Sequence, residues 1–315
     1  MKPYALIDLH CDTLTACDLP HPGPNTLDDQ QAVLSLSNLP EDTRWAQCFA
    51  IFVPDELSPA ESVAFYQTHR RSFERQMELF QERVSPCRTA ADIEAAWAGG
   101  KTAALLTVEN GSALGGNLER VGELAQDGVR MLTLTWNGVN EIGSGNVSGQ
   151  GLTDFGRVFI PELERLGILA DLSHLNDRGF HDFLEVSERP FVASHSNARA
   201  VCPHLRNLTD DQIREMAARR CLIGLNFCND FLRGDGKPAT LDDLFRHIDR
   251  FLELGAEDCL ALGSDFDGCP LAPCLSSPEQ SAGLYACFRE RGFSQALAEK
   301  ILFRNALEFF RANLR

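Results

Sequence analysis

Residues 102–111 read TAALLTVENG, a nearly unbroken apolar run that ends on a glutamate, an asparagine and a glycine. A run of this length closed by a breaker reads as a β-strand, and unbroken rather than alternating apolarity marks a strand covered on both faces. A carboxylate at the end of such a run is costly unless it is exposed or paired. Glu109 is therefore either a solvent-facing loop residue or a ligand-binding group at the carboxyl end of a buried strand.

The same unit recurs along the chain. Candidate strands are Ala5–Leu9, Trp45–Val53, Thr102–Val108, Val129–Thr135, Ile168–Leu172, Phe191–Ser194, Cys221–Asn226 and Cys259–Gly263. Amphipathic stretches lie between most of them, as in Pro59–Arg83, Phe155–Leu166, Asp210–Arg219 and Leu241–Leu254, with Thr209 and Thr240 placed to cap two of the helices. From Pro278 onward the pattern is helical only. The stretches from Leu19 to Asp29 and from Gly138 to Gly151 read as long loops; nothing reads as a linker or an internal repeat. About eight β–α repeats predict one α/β domain over residues 1–315, a (β/α)8 TIM barrel with extra C-terminal helices. An open doubly wound sheet shares the local pattern and is the competing arrangement.

Acidic and histidine residues gather where these strands end. His10 and Asp12 follow the first strand two residues apart, so on an extended chain they project to one side. His174 closes ILADLSH, His195 closes FVASHSN, and Asp265 and Asp267 stand two apart in LGSDFDG. Each has an ordinary explanation as a turn or strand-end residue. Together they are harder to dismiss, because a parallel barrel brings all its strand carboxyl ends to one face, where barrel enzymes carry their active sites. Mixed imidazole and carboxylate donors suit zinc and similar divalent ions. The remaining histidines read as structural: His21 in a Pro-rich loop, and His69, His181 and His247 in helical stretches. His204 lies close in sequence to a candidate substrate residue and is left without a role.

The bulk numbers exclude other classes. A net charge of −16 over 315 residues opposes non-specific binding to nucleic acid and docking on an anionic membrane. Mean hydropathy of −0.17 and 44% hydrophobic residues suit a soluble enzyme. No apolar run is long enough to span a membrane, and neither end reads as a secretion or lipid-anchor signal, so the expected location is cytoplasmic. The 11 cysteines are scattered without a CxxC pair, as reduced, buried thiols are, and Cys11 reads as one of these. GxSxG, HExxH and P-loop motifs are absent, and GSALGG at 111–116 lacks the spacing of a dinucleotide site.

The segments DLHCDTL, TVENG, VRMLTLTWNGVNE, GLTDFGRVFIPELERLGILADLSH, VASHSNARAVCPHLRNLTDDQI, LGSDFDG and ILFRNALEFF follow one another as in the membrane (renal) dipeptidases, which this sequence resembles over most of its length. The resemblance implies two zinc ions and hydrolysis of a dipeptide by metal-activated water. His10 and Asp12 would hold the first ion, His174 and His195 the second, and Glu109 would bridge them. Asp265 would be the catalytic acid and base, and Arg206 would pair with the substrate carboxylate. A homodimer is also implied. One position departs: where family members carry a histidine that contacts substrate, this chain has Trp136. Indole donates one N–H and has no titratable proton. Either Trp136 packs beside the site, or the substrate or reaction differs. An N-acyl amino acid or a lactam on the same site, and a non-catalytic metal-binding homologue, are the alternatives.

Overall fold

All eight expected strands form, and a ninth lies beside them. The structure, a computed structural model, describes residues 4–18 and 27–315; His21 and most of the Leu19–Asp29 stretch lie outside the described residues. The strands are β1 (Tyr4–Cys11), β2 (Thr43–Phe52), β3 (Val84–Cys87), β4 (Thr102–Glu109), β5 (Val129–Thr133), β6 (Leu169–Asp171), β7 (Val192–Ala193), β8 (Leu222–Leu225) and β9 (Leu260–Leu262). They run in the order β2-β1-β9-β8-β7-β6-β5-β4, and β2 pairs with β4 from Ala46 opposite Ala103 to Phe52 opposite Glu109. That pairing closes the cylinder and excludes the open doubly wound sheet.

The unexpected strand, β3, pairs parallel with Thr102–Leu105 of β4, ahead of the stretch from Leu106 onward that pairs with β5. It has four residues and contains Pro86, which cannot donate to a ladder and belongs at an edge. Neither its length nor its composition marks it as a strand.

Strand residues Ala5–Cys11 and Ala103–Glu109 are all buried, as parallel strands covered on both faces must be. The helices cover the outside with one apolar stripe each. Phe159, Ile160 and Leu163 come from the helix Asp154–Arg165, and Leu244, Ile248 and Phe251 from Leu241–Glu253. Thr209 caps its helix by accepting from Gln212 N–H, and Thr240 is held by the Asp243 carboxylate in the equivalent box. The final helix, Asn305–Asn313, packs Ala306, Leu307 and Phe310 into a cluster with Ala5, Ile7 and Ala261. No helix among the described residues is long and apolar enough to cross a membrane.

Candidate metal centre

All the strand-end residues singled out in the sequence reach the carboxyl-terminal mouth of the barrel. His10 lies within β1 and Asp12 just past it, and Glu109 ends β4. His174, His195 and Asp265 follow β6, β7 and β9 by a few residues. Four of the non-glycine residues with positive φ are in this mouth: Asn110 at 81°, His174 at 71°, Asp265 at 64° and Asp267 at 65°. Such backbone is strained, and surrounding hydrogen bonds must hold it. Three glycine positions make room for the site. A Cβ on Gly268 would stand 2.1 Å from Asp12 Oδ2 and 2.5 Å from Asp265 Oδ1, and one on Gly224 or Gly263 would meet the Ser194 carbonyl at 1.8 Å.

The candidate ligand atoms converge on one another. His10 Nε2 is 3.6 Å from Asp12 Oδ2 and 3.5 Å from Glu109 Oε2. On the other side, Glu109 Oε1 is 2.8 Å from His174 Nε2 and 3.7 Å from His195 Nε2. His174 Nδ1–H donates to Asn137 Oδ1 at 3.0 Å, which leaves a lone pair on its Nε2. Ser194 Oγ–H donates to Asp171 Oδ2 at 2.6 Å, so the hydroxyl oxygen accepts from His195 Nδ1–H at 2.7 Å. The Nε2 of His195 is therefore also a bare acceptor, yet the two Nε2 atoms stand 2.9 Å apart. Lone pairs facing at that distance, with a carboxylate oxygen beside them, repel unless a cation lies among them.

Burial supports the same conclusion. His10 Nε2 and Asp12 Oδ1 are buried without a hydrogen-bond partner, an expensive state for polar atoms. Burial, with the positive charges of Arg206 and His10 nearby, holds His174 and His195 well below the usual imidazole range, so both are neutral as metal ligands must be. Burial opposes charge on His10, but the Asp12 and Glu109 carboxylates outweigh it and hold the ring well above its ordinary value. Burial, reinforced by Asp12, raises Glu109. Among the described residues, two groups have the spacing to hold an ion, His10 with Glu109 and His195, and His10 with Asp12 and Asp265. The residues fit a divalent metal.

Above this cluster is a cavity of about 320 Å³ lined by Asp12, Glu109, His174 and Asp265 and also by Trp136 and Arg206. Arg206 is buried, sends Nη2 to the His195 carbonyl at 3.3 Å, lies over the Phe231 ring and leaves Nε without a partner. Asp265 Oδ2 accepts from Asn226 Nδ2 at 3.0 Å, which leaves Oδ1 to face His10 at 3.9 Å. Trp136 is half-buried, edge-on to Phe52 with ring centroids 4.9 Å apart, and no partner for its indole N–H is found among the described residues.

Several expectations meet a different outcome or a finer one. Asp265 and Asp267 do not act as a pair on one side. Their positive φ values take them off the extended backbone that spacing of two assumes, and Asp267 turns to Thr13 Oγ1 at 2.6 Å and Val33 N–H at 2.6 Å. His204 is exposed, and its Nδ1 accepts from the Arg206 N–H at 3.2 Å. His247 is structural, accepting from Ala198 N–H and donating to the Leu232 carbonyl, both at 3.1 Å. Cys11 is a buried thiol. The residues that orient the ligands were not anticipated: Asn137, Asp171, Ser194 and Asn226. Asp171, a carboxylate inside an apolar run, carried the signal.

Comparisons with known proteins place the chain in a family. The family model described as membrane dipeptidase (peptidase family M19) matches residues 1–314. An uncharacterised protein in the pqqA 5′ region of Klebsiella pneumoniae is 36% identical over 236 residues, 71% of this chain and 87% of that one. A solved M19 metallopeptidase, dipeptidase AC, superposes with a TM-score of 0.91 at 28% identity over 99% of both chains. A metallopeptidase from Rhodobacter sphaeroides, solved with a phosphinate mimic of the dipeptide L-Ala-D-Ala, gives 0.91 at 27% identity, also over 99% of both. The chain belongs to the membrane dipeptidase family, peptidase family M19, and is a metal-dependent hydrolase of that family.

Proposed function

We propose that the chain is a single catalytic unit that hydrolyses the peptide bond of dipeptides, L,L and L,D, on a pair of zinc ions. His10 and Asp12 would hold one ion, His174 and His195 the other, and Glu109 would serve both. The bound pair supplies Lewis acidity and lowers the pKa of water toward neutrality. The observation that carries the reading is the convergence of bare acceptors, His174 Nε2, His195 Nε2 and Glu109 Oε1, beneath a cavity that also holds a buried arginine.

This chain's own groups do the rest. Arg206 takes the substrate carboxylate on its planar fork, which fixes the length of the substrate and favours a dipeptide over a longer peptide. Asp265 Oδ1 takes a proton from the attacking water and returns it to the leaving nitrogen, while Asn226 pins Oδ2. Burial raises the Asp265 carboxyl, which brings it closer to the range where one group gives and takes a proton. Trp136 and Phe52 bound the far side of the cavity and exclude water there.

The test is metal analysis of the purified protein followed by a panel of L,L and L,D dipeptides and N-acyl amino acids. Two zinc ions per chain and turnover of dipeptides are expected. If the metal-loaded protein leaves every dipeptide intact, the reading fails, and turnover of N-acyl amino acids alone replaces it.

A further inference from the structure

The barrel order sets the two ends of the cavity on opposite sides of its mouth. Around the cylinder the strands run β1, β2, β4, β5, β6, β7, β8, β9. Phe52 ends β2 and Trp136 follows β5, whereas Arg206 follows β7 and Asp265 follows β9. In an eight-stranded ring β2 stands across from β7 and β5 across from β9. One wall thus carries the charged groups Arg206, over Phe231, and Asp265, and the facing wall carries Trp136 edge-on to Phe52. The metal ligands lie between them. Phe52 and Trp136 are each only half-buried, so part of each ring faces the cavity. Asn137, the residue after Trp136, is tied to His174, which fixes the backbone that presents the indole.

We propose that Phe52 and Trp136 form the subsite for the side chain of the amino-terminal residue, and that the enzyme takes dipeptides with an apolar side chain there, leucine or phenylalanine rather than glycine. The inference rests on the dipeptidase reading. In a dipeptide with its carboxylate on Arg206 and its amide over the ligand cluster, the carboxyl-terminal side chain stays on the Arg206 side, and the amino-terminal residue extends toward the facing aromatic wall. Covering the amino-terminal side chain removes apolar surface from water on both partners. The Trp136 indole, edge-on to Phe52, offers that side chain a broad apolar face.

The test compares kcat/KM of the zinc-loaded enzyme for Gly-Ala, Leu-Ala and Phe-Ala, with Ala-Gly and Ala-Leu as controls for the other end. Leu-Ala is expected to exceed Gly-Ala by about tenfold or more, the range a buried apolar group commands. That ratio falls below about threefold in Trp136→Ala and persists in Trp136→Phe. A second measurement needs no variant. Trp45 and Trp97 are buried, with Trp97 Nε1 donating to the Trp45 carbonyl, which leaves Trp136 as the tryptophan at the cavity. A phosphinate mimic of Leu-Ala should change the intrinsic fluorescence as it binds, more than a mimic of Gly-Ala at equal saturation. A Leu-Ala to Gly-Ala ratio near one, a ratio untouched by Trp136→Ala, or fluorescence that ignores the bound Leu-Ala mimic overturns the subsite and leaves the dipeptidase reading standing. No turnover of any of the five dipeptides overturns both.

Discussion

The Ser194 hydroxyl accepts from His195 Nδ1–H at 2.7 Å while it donates to Asp171 Oδ2 at 2.6 Å. The serine thus passes the preference of a buried carboxylate to His195, a proposed metal ligand one residue away. Asp171 is itself anchored four ways: Thr133 Oγ1 and Ser194 Oγ meet Oδ2, and the N–H groups of Ser173 and Ser194 meet Oδ1. The chain of bonds fixes the tautomer of His195 and keeps Nε2 bare toward the proposed metal site. Partners of this kind tune affinity as much as the ligands do.

Removing either partner should therefore weaken metal binding more than it weakens the fold. In Ser194→Ala the imidazole is free to put its proton on Nε2, and zinc affinity is expected to fall about 10–100-fold. Asp171→Asn keeps an oxygen for the two N–H donors but presents an amide to the two hydroxyls, so it should do the same. Competition with a chelator of known affinity measures the change. Unaltered affinity in both variants would show that His195 needs no such support.

Arg206 is predicted to govern binding of substrates that end in a free carboxylate. Its guanidinium is buried, with Nε unpartnered, and its charge survives burial because Asp265 and Glu109 lie near. Replacing it by lysine keeps a charge and loses the fork, so KM for a good dipeptide should rise about 10–100-fold, the value of one or two charge-assisted hydrogen bonds. The same dipeptide as its C-terminal amide should be a poor substrate for the native enzyme and no poorer for Arg206→Lys. A KM for the amide that rises as steeply as that for the acid would move Arg206 out of the carboxylate site.

His247 links pH to the stability of the segment that follows His195. It is fully buried, accepts from the Ala198 N–H and donates to the Leu232 carbonyl, so both nitrogens are in use and the ring must be neutral. Burial lowers its pKa from 6.5 to about 4. A depressed folded-state pKa contributes stability that is present above the unfolded value and is lost as pH falls toward the folded one. Between pH 6.5 and 4 the loss from this group is about 3 kcal/mol. Gln can make both bonds without titrating, so the Tm of His247→Gln should fall less steeply over that window than the native Tm. Identical slopes would remove His247 from the acid response.

Which parts of the site were legible follows from how each residue is used. His10, Glu109, His174 and His195 interrupt or close apolar runs, and a parallel barrel gathers such ends, so pattern and topology together were enough. Arg206 lies in a loop with no pattern of its own, and the family motif supplied it. Asp267 was given no role, and its spacing of two from Asp265 implies a shared side only on extended backbone, whereas both aspartates have positive φ. Asn137, Ser194 and Asn226 are short polar residues in polar stretches, and their function depends on a neighbour across the barrel. Asp171 was detectable in principle, since a lone carboxylate among Ile168, Leu169, Ala170 and Leu172 needs partners. β3 could not be read at all, because four residues with a proline form a strand only when an existing edge offers them a register.

The Asp265 carboxyl gives the sharpest test of proton transfer. Asn226 holds Oδ2 while Oδ1 faces the cavity near His10, so the two oxygens have separate duties. In Asp265→Asn the amide oxygen can still accept from Asn226, which preserves the geometry and removes the base. Turnover is expected to fall about 10²–10⁴-fold with little change in KM or in metal content. Burial raises this carboxyl, with Asp12 adding to the effect, so the group stays protonated to higher pH than an exposed aspartate. A base is lost on protonation, so kcat/KM of the native enzyme should decline as pH falls, with a limb above the ordinary carboxylate range. In Asp265→Asn the residual activity should lose that limb. If the limb survives the substitution, another group accepts the proton, and Asp265 serves the first ion as a ligand instead.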